Sequence, residues 1–234
     1  MAATPETWHA VDCYIADRLL PDDPVLDAAL TAAAAAGLPA IAVSPAQGKF
    51  LHLLARIGRV RRILELGTLG GYSTIWLGRA LPPDGRLVTL ELEAAFAEVA
   101  RANVARAGLA DTVEILVGPA LQTLPRLIGP EREPFDLIFI DADKTNSLEY
   151  VQWALRLSHP GSVIVLDNVI RDGALSDPAT SDQSVVGMRR VFDYLLTEPR
   201  LSATALQTVG LKGYDGFALL LVQGGAEEKE RPGS

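Results

Sequence analysis

Apolar and polar positions divide the chain into two regimes. Up to residue 58 the apolar positions recur at steps of three and four, and from residue 61 short continuous apolar runs alternate with such helical stretches. The first regime predicts helices at 8–20 and 24–36 and a third that opens at Ser44-Pro45 and closes at Gly58. Pro21-Asp22-Asp23-Pro24 splits the first two, with an aspartate to cap the second and Pro24 at its first position. The third carries Phe50, Leu51, Leu53, Leu54 and Ile57.

The second regime predicts strands at 62–66, 86–91, 113–117, 135–140 and 162–166. Helices at 72–81, 93–107, 120–128 and 146–157 separate them. The fourth and fifth strands carry continuous apolar runs, 137–140 and 163–166, as expected where a parallel sheet is buried on both faces. Residues 171–184 are polar and read as a loop above the sheet. A helix at 185–197 then leads to strands at 202–208 and 217–222, and the turn at 210–216 is too short for a crossover, so these two form an antiparallel hairpin. The expected architecture is α/β, a doubly wound sheet preceded by helices. It forms one domain over 1–223, with a helical cap at 8–58, a core at 61–223 and a disordered tail at 224–234.

Composition narrows the function classes. A chain of 234 residues with 49% hydrophobic content can bury one sizeable core. A formal net charge of -8 argues against a nucleic-acid partner. Apolar runs stay well short of the roughly 18 residues a membrane span needs, so no membrane association is expected. No basic region followed by an apolar run opens the chain. With a single cysteine, Cys13, this makes the cytoplasm the expected location. Cys13 lies in a helical pattern and reads as a small core residue. The cap helices carry apolar residues outside the sheet, such as Ile15, Leu19, Leu26 and Leu30, which points to self-association.

The first candidate site is the glycine turn after strand 62–66. Gly67, Gly70 and Gly71 sit where the strand bends into a helix, so a ligand can approach the backbone. The dinucleotide spacing is absent, because Leu69 and Tyr72 stand where G-x-G-x-x-G needs glycine. The glycines alone would equally suit an ordinary strand-to-helix bend. Glu65 before the turn and Glu91 at the end of the next strand tip the reading toward a nucleoside without a pyrophosphate, since a carboxylate at Glu91 can accept both ribose hydroxyls.

The second site lies at two neighbouring strand ends, where Asp141 follows strand four and Asp167-Asn168 follows strand five. Taken singly, each reads as a cap or turn residue. Together, two carboxylates and an amide oxygen with no His or Cys beside them suit a hard cation such as Mg²⁺. Lys144 is either a solvated lysine or a proton acceptor next to that cation. Asp143 faces either the nucleoside or solvent. His9, His52 and His159 are scattered, and no Ser/His/Asp order or P-loop is present.

With these pieces in place the chain resembles the cation-dependent class I S-adenosylmethionine (SAM) O-methyltransferases, the caffeoyl-CoA and catechol O-methyltransferase group. The likeness rests on Ser44-Pro45-Ala46-Gln47-Gly48-Lys49-Phe50-Leu51, on Leu64 through Ser73, and on Glu91 and Gly118-Pro119-Ala120. It extends to Phe139-Ile140-Asp141-Ala142-Asp143-Lys144, Asp167-Asn168-Val169 and Tyr214-Asp215-Gly216-Phe217, and spans residues 10–222 in order. The resemblance implies a Rossmann-like seven-stranded sheet with the last strand antiparallel, and a homodimer. It implies a SAM site formed by Val43, Glu65, Gly67, Thr68, Ser73, Glu91, Ala120 and Asp143. It assigns Asp141, Asp167 and Asn168 to a divalent cation and makes Lys144, with Asp141, the catalytic pair.

The implied reaction moves a methyl group from the sulfonium of SAM to a hydroxyl of a small catechol-like phenol. Asp172 stands where the plant enzymes use an Asn for substrate contact, and the 171–184 loop lacks their aromatic character, so their acyl-CoA acceptor is not carried over. Two alternatives remain. A tRNA hydroxyuridine O-methyltransferase would need a basic patch, for which Arg171, Arg189 and Arg190 are the candidates. A non-catalytic SAM-binding protein would not need the intact Asp141, Lys144, Asp167 and Asn168.

Overall fold

Thr4, Asp23 and Ser44 each stand directly before a helix that opens with proline. Their side chains accept from Thr7 N, from Val25 N and Leu26 N, and from Gln47 N respectively, satisfying amides that have no partner inside the helix. The cap at Thr4 starts the first helix three residues earlier than the apolar pattern alone indicates. In the computed structural model, which describes residues 4–129 and 133–224, the three helices are α1 (Pro5–Leu19), α2 (Pro24–Ala35) and α3 (Pro45–Ile57). The tail expected at 224–234 lies, from residue 225 on, outside the described residues.

The alternating part follows as β1 (Arg62–Leu66), α4 (Tyr72–Gly78), β2 (Arg86–Glu91), α5 (Ala94–Arg106), β3 (Val113–Val117) and α6 (Ala120–Thr123). A single 3₁₀ turn continues α6. Then come β4 (Phe135–Ile140), α7 (Ser147–Arg156), β5 (Ser158–Asp167), α8 (Gln183–Thr197), β6 (Leu201–Gly210) and β7 (Gly213–Val222). The sheet order is β3-β2-β1-β4-β5-β7-β6. β1 to β5 are parallel, and β7 runs antiparallel between β5 and β6. This is the Rossmann-like seven-stranded sheet expected, with its topological switch point between β1 and β4.

The period of two along each strand divides the core. Leu64, Leu66, Ile138, Ile140, Ile164 and Leu166 face α7 and α8, whose Tyr150, Val151, Met188 and Val191 are buried with them. Ile63, Leu87, Leu137, Phe139 and Val165 face the other way, onto Leu51 of α3 and Ile75 and Leu77 of α4. Each such side chain contributes about 1.5–3 kcal/mol on burial. The two layers therefore fix the strand register, and with it the positions of the residues that follow each strand.

Three expectations change. The hairpin is longer than read, with a two-residue connection at Leu211-Lys212, so most of the 210–216 segment is strand. β6, expected at 202–208, spans Leu201–Gly210 and is an edge strand exposed along most of its length. Cys13 is exposed rather than in the core, because α1 has no buried residue at all. Leu26 is only 4% exposed and belongs to the core, while Ile15, Leu19 and Leu30 are on the outside as expected. Among the described residues no helix is long and apolar enough to cross a membrane.

Candidate active site

Strand register alone assembles the site. Leu66 pairs with Leu90 on one side and Ile140 on the other, and Ile140 pairs with Leu166. The next residues, Gly67, Glu91, Asp141 and Asp167, therefore lie side by side at the carboxyl ends of β1, β2, β4 and β5. Above them opens a cavity of about 710 Å³. Val43, Gly67, Thr68, Ser73, Glu91, Ala120, Asp141, Asp143, Lys144 and Asn168 all line it; Glu65 and Asp167 do not.

Glu91 holds the glycine turn. Its Oε2 accepts from Thr68 N at 3.2 Å and Leu69 N at 2.7 Å, and its Oε1 accepts from Glu93 N at 2.9 Å. These amides use part of the carboxylate and aim the rest into the cavity. Gly67 has φ +94, and a Cβ there would come 2.0 Å from the carbonyl oxygen of Asp141. Only glycine lets the ends of β1 and β4 approach so closely.

Glu65 lies behind the wall of the cavity rather than in it. It is fully buried and accepts from Ser73 Oγ at 2.6 Å, Thr74 Oγ1 at 2.5 Å and Thr89 Oγ1 at 2.8 Å. Two of these hydroxyls belong to the first turn of α4, so Glu65 pins that helix to β1 and β2. Burial pushes its carboxyl up to about 7, against the pull of the three hydroxyls.

At the other end of the cavity, Lys144 Nζ donates to Asp141 Oδ1 at 2.8 Å. Asp167 is 5% exposed. Its Oδ1 accepts from Asn168 N at 2.9 Å and its Oδ2 from Gln47 Nε2 at 2.7 Å. Burial, and then the charge of Asp141, lift Asp167 to about 7. Among the described residues no three His, Cys, Asp or Glu side chains converge as a metal cluster. The donors here are two carboxylates and one amide oxygen. That set is all hard oxygen, leaves coordination positions open for substrate oxygens, and relieves a carboxylate pair that repels itself, so it fits Mg²⁺.

Asp143 faces the cavity, but its carboxylate is also bonded to residues at the start of α7. It accepts from Asn146 N at 3.1 Å, from Asn146 Nδ2 at 2.8 Å and from Tyr150 Oη. Burial and the charge of Asp143 keep the Tyr150 phenol protonated. Tyr150, Phe96 and Arg171 line the cavity without having been singled out for it. Gln47 was quoted only as part of a motif. Of the three arginines weighed as a basic patch, only Arg171 lines the cavity. Arg189 donates to the backbone carbonyls of Ala174, Leu175 and Asp177, and Arg190 pairs with Glu149 at 2.9 Å.

The sequence model of the O-methyltransferase family matches residues 20–221. A catechol O-methyltransferase of Mycobacterium tuberculosis is 57% identical over 213 residues, 91% of this chain and 95% of that protein. One of Niastella koreensis is 52% identical over 218 residues, 93% of this chain and 99% of that protein. The O-methyltransferase of Bacillus cereus in complex with SAH superposes with a TM-score of 0.92 at 54% identity, covering 94% of this chain and 100% of that one. TomG of Streptomyces achromogenes, an O-methyltransferase of tomaymycin synthesis solved with SAM, gives 0.92 at 52% identity, covering 95% and 100%.

Proposed function

The chain belongs to the O-methyltransferase family and is a SAM-dependent O-methyltransferase of the catechol type, and we propose that it methylates one of two neighbouring hydroxyls on a small phenol with the aid of Mg²⁺. The observation that carries this reading is the shared cavity: Lys144 and Asp141, 2.8 Å apart, and Asn168 line the same space as Glu91 and the glycine turn.

Glu91 and the turn Gly67-Thr68-Leu69 receive the nucleoside of SAM, with the carboxylate of Glu91 as acceptor for ribose hydroxyls. Val43, Ser73, Ala120 and Asp143 complete the walls around it. Glu65 acts indirectly, by fixing the start of α4 under the turn. Asp141, Asp167 and Asn168 would hold the cation. A bound divalent cation supplies a Lewis acid that acidifies one hydroxyl of the acceptor and orients it. Lys144 Nζ, steered by Asp141, receives the phenolic proton as the neutral amine. The C–S bond to the sulfonium breaks as the new C–O bond forms, and the fixed strand ends contribute by holding the two reactants in line. The assembly we propose is a homodimer through the exposed face of α1.

The reading is tested with a vicinal diol and its mono-hydroxy analogue. The diol should turn over with Mg²⁺, stop in excess EDTA and recover when Mg²⁺ is restored, while SAM binding measured by calorimetry persists throughout. The mono-hydroxy compound should react far more slowly, since it cannot chelate. Full activity in EDTA, or equal rates for the pair, would leave Asp141, Asp167 and Asn168 as caps and turns only.

A further inference from the structure

Two basic side chains line the cavity, and only one of them is paired. Lys144 is bonded to Asp141. Arg171 is not: among the described residues its side chain makes no hydrogen bond, and its buried Nε has no acceptor. The other two arginines of this region are bonded to carbonyls or to Glu149. A buried guanidinium N–H without an acceptor is costly, and an anion on a bound ligand would relieve that cost.

The backbone holds this arginine in place. Asp215 Oδ1 accepts from both Ile170 N and Arg171 N at 3.0 Å. Asn168, Arg171 and Asp172 all have left-handed φ, at +55, +55 and +54, which a non-glycine residue adopts at some cost. Arg171 thus lies three residues past Asn168, on the segment that leaves β5. In the sheet, β5 is separated from β2 by β4 and β1, so three strand spacings, about 14 Å, divide the ends of β5 and β2. Glu91 and the nucleoside belong to the β2 end. The anion that Arg171 would meet therefore belongs at the acceptor end.

We propose that Arg171 binds a carboxylate carried by the acceptor, so that the preferred substrate is an aromatic vicinal diol bearing an acid group rather than a neutral catechol. This rests on the reading of the site as one that methylates vicinal diols. A guanidinium meets a carboxylate through charge-assisted and often bidentate bonds. The carboxylate of SAM itself is the other possible source of the same chemistry, and the test separates the two.

The test compares 3,4-dihydroxybenzoate with 3,4-dihydroxybenzamide, which keeps the diol and removes the charge. With wild-type protein, SAM and Mg²⁺, kcat/KM should favour the acid by on the order of ten- to a hundredfold, mainly through KM. In Arg171→Met the acid-to-amide ratio should fall to near one, and Arg171→Lys should restore part of it. Calorimetry with SAH and Mg²⁺ present should show the same ratios in binding alone. Affinity for SAH should be the same in all three proteins. Equal use of acid and amide by the wild type, or a ratio retained in Arg171→Met, would overturn the proposal. Loss of SAH affinity in Arg171→Met with the ratio unchanged would assign Arg171 to the SAM carboxylate and overturn it too. Turnover of neither compound by the wild type would instead remove the vicinal-diol reading, and this inference with it. The wild-type ratio decides the matter even if Arg171→Met fails to fold.

Discussion

Gln47 Nε2 donates to Asp167 Oδ2 at 2.7 Å, across 120 positions of sequence. Gln47 lies in the first turn of α3 and outside the cavity lining, so its bond acts through Asp167 alone. It fixes the rotation of a carboxylate whose other oxygen is held by Asn168 N. Outer partners of this kind typically account for ten- to a hundredfold in metal affinity. Gln47→Leu should therefore weaken Mg²⁺ binding by roughly that factor while leaving SAH binding as it is. Calorimetric titration of Mg²⁺ into the SAH complex reads both, and an unchanged Mg²⁺ affinity would reduce the bond to a packing detail.

Glu91 has two roles, which two substitutions separate. Glu91→Ala removes the acceptor for Thr68 N, Leu69 N and Glu93 N as well as any bond to the ribose. It should lower the melting temperature and SAH affinity together, since hydrogen bonds to a charged group contribute about 1.5–3 kcal/mol each. Glu91→Gln keeps an oxygen for the turn. It should melt close to wild type and still lose about tenfold in SAH affinity. If Glu91→Gln binds SAH as tightly as wild type, Glu91 serves the turn and not the ribose.

Glu65 sets a pH dependence of stability. Its carboxyl is raised from an ordinary 4.5 to about 7 by complete burial. Between those values the folded chain binds a proton that the unfolded chain has lost. The stabilisation is thus fully present below 4.5 and disappears as pH rises through 7. Glu65→Gln mimics the protonated form at every pH. The two proteins should have similar stability at about pH 4.5 and diverge by on the order of 3 kcal/mol in favour of glutamine near pH 8. Denaturant unfolding across that range measures the gap, and parallel curves would mean that Glu65 stays ionised.

What the sequence revealed, and what it hid, follows from the range of each interaction. Gly67, Glu91, Asp141 and Asp167 each end or directly follow a strand, two of them after unbroken apolar runs, so their convergence needed only the order of the strands. Gln47 meets Asp167 solely through tertiary packing of α3, and no local pattern encodes that contact. Glu65 was read as a ligand residue from its place before the glycine turn. The alternation of β1 carried the opposite message: Glu65 falls between Leu64 and Leu66, which face α7 and α8, and so points with Ile63 toward α3 and α4. β6 was read at 202–208 and extends to Gly210, because an exposed edge strand has no apolar face to mark where it stops.

The oligomeric state can be tested without disturbing the fold, because α1 contributes no buried residue. Val11, Tyr14 and Leu19 are 51%, 58% and 68% exposed, and Leu206, Val209 and Leu211 of the neighbouring hairpin are exposed beside them. What ties α1 to this hairpin is polar: Asp12 Oδ2 accepts from Leu211 N at 2.7 Å. A Cβ at Gly210 would come 2.2 Å from that same oxygen, so the glycine makes room for the contact. An apolar helix face left in water while its polar face holds the helix down is what a second copy of the chain would cover. Val11→Asp with Leu19→Asp should therefore dissociate the dimer. Because both side chains are exposed in the single chain, the pair should change the chain's own stability by no more than about 1 kcal/mol. Light scattering at micromolar concentration should give twice 25.0 kDa for wild type and 25.0 kDa for the double variant. A wild-type mass of 25.0 kDa would show that the exposed face of α1 does not mediate self-association.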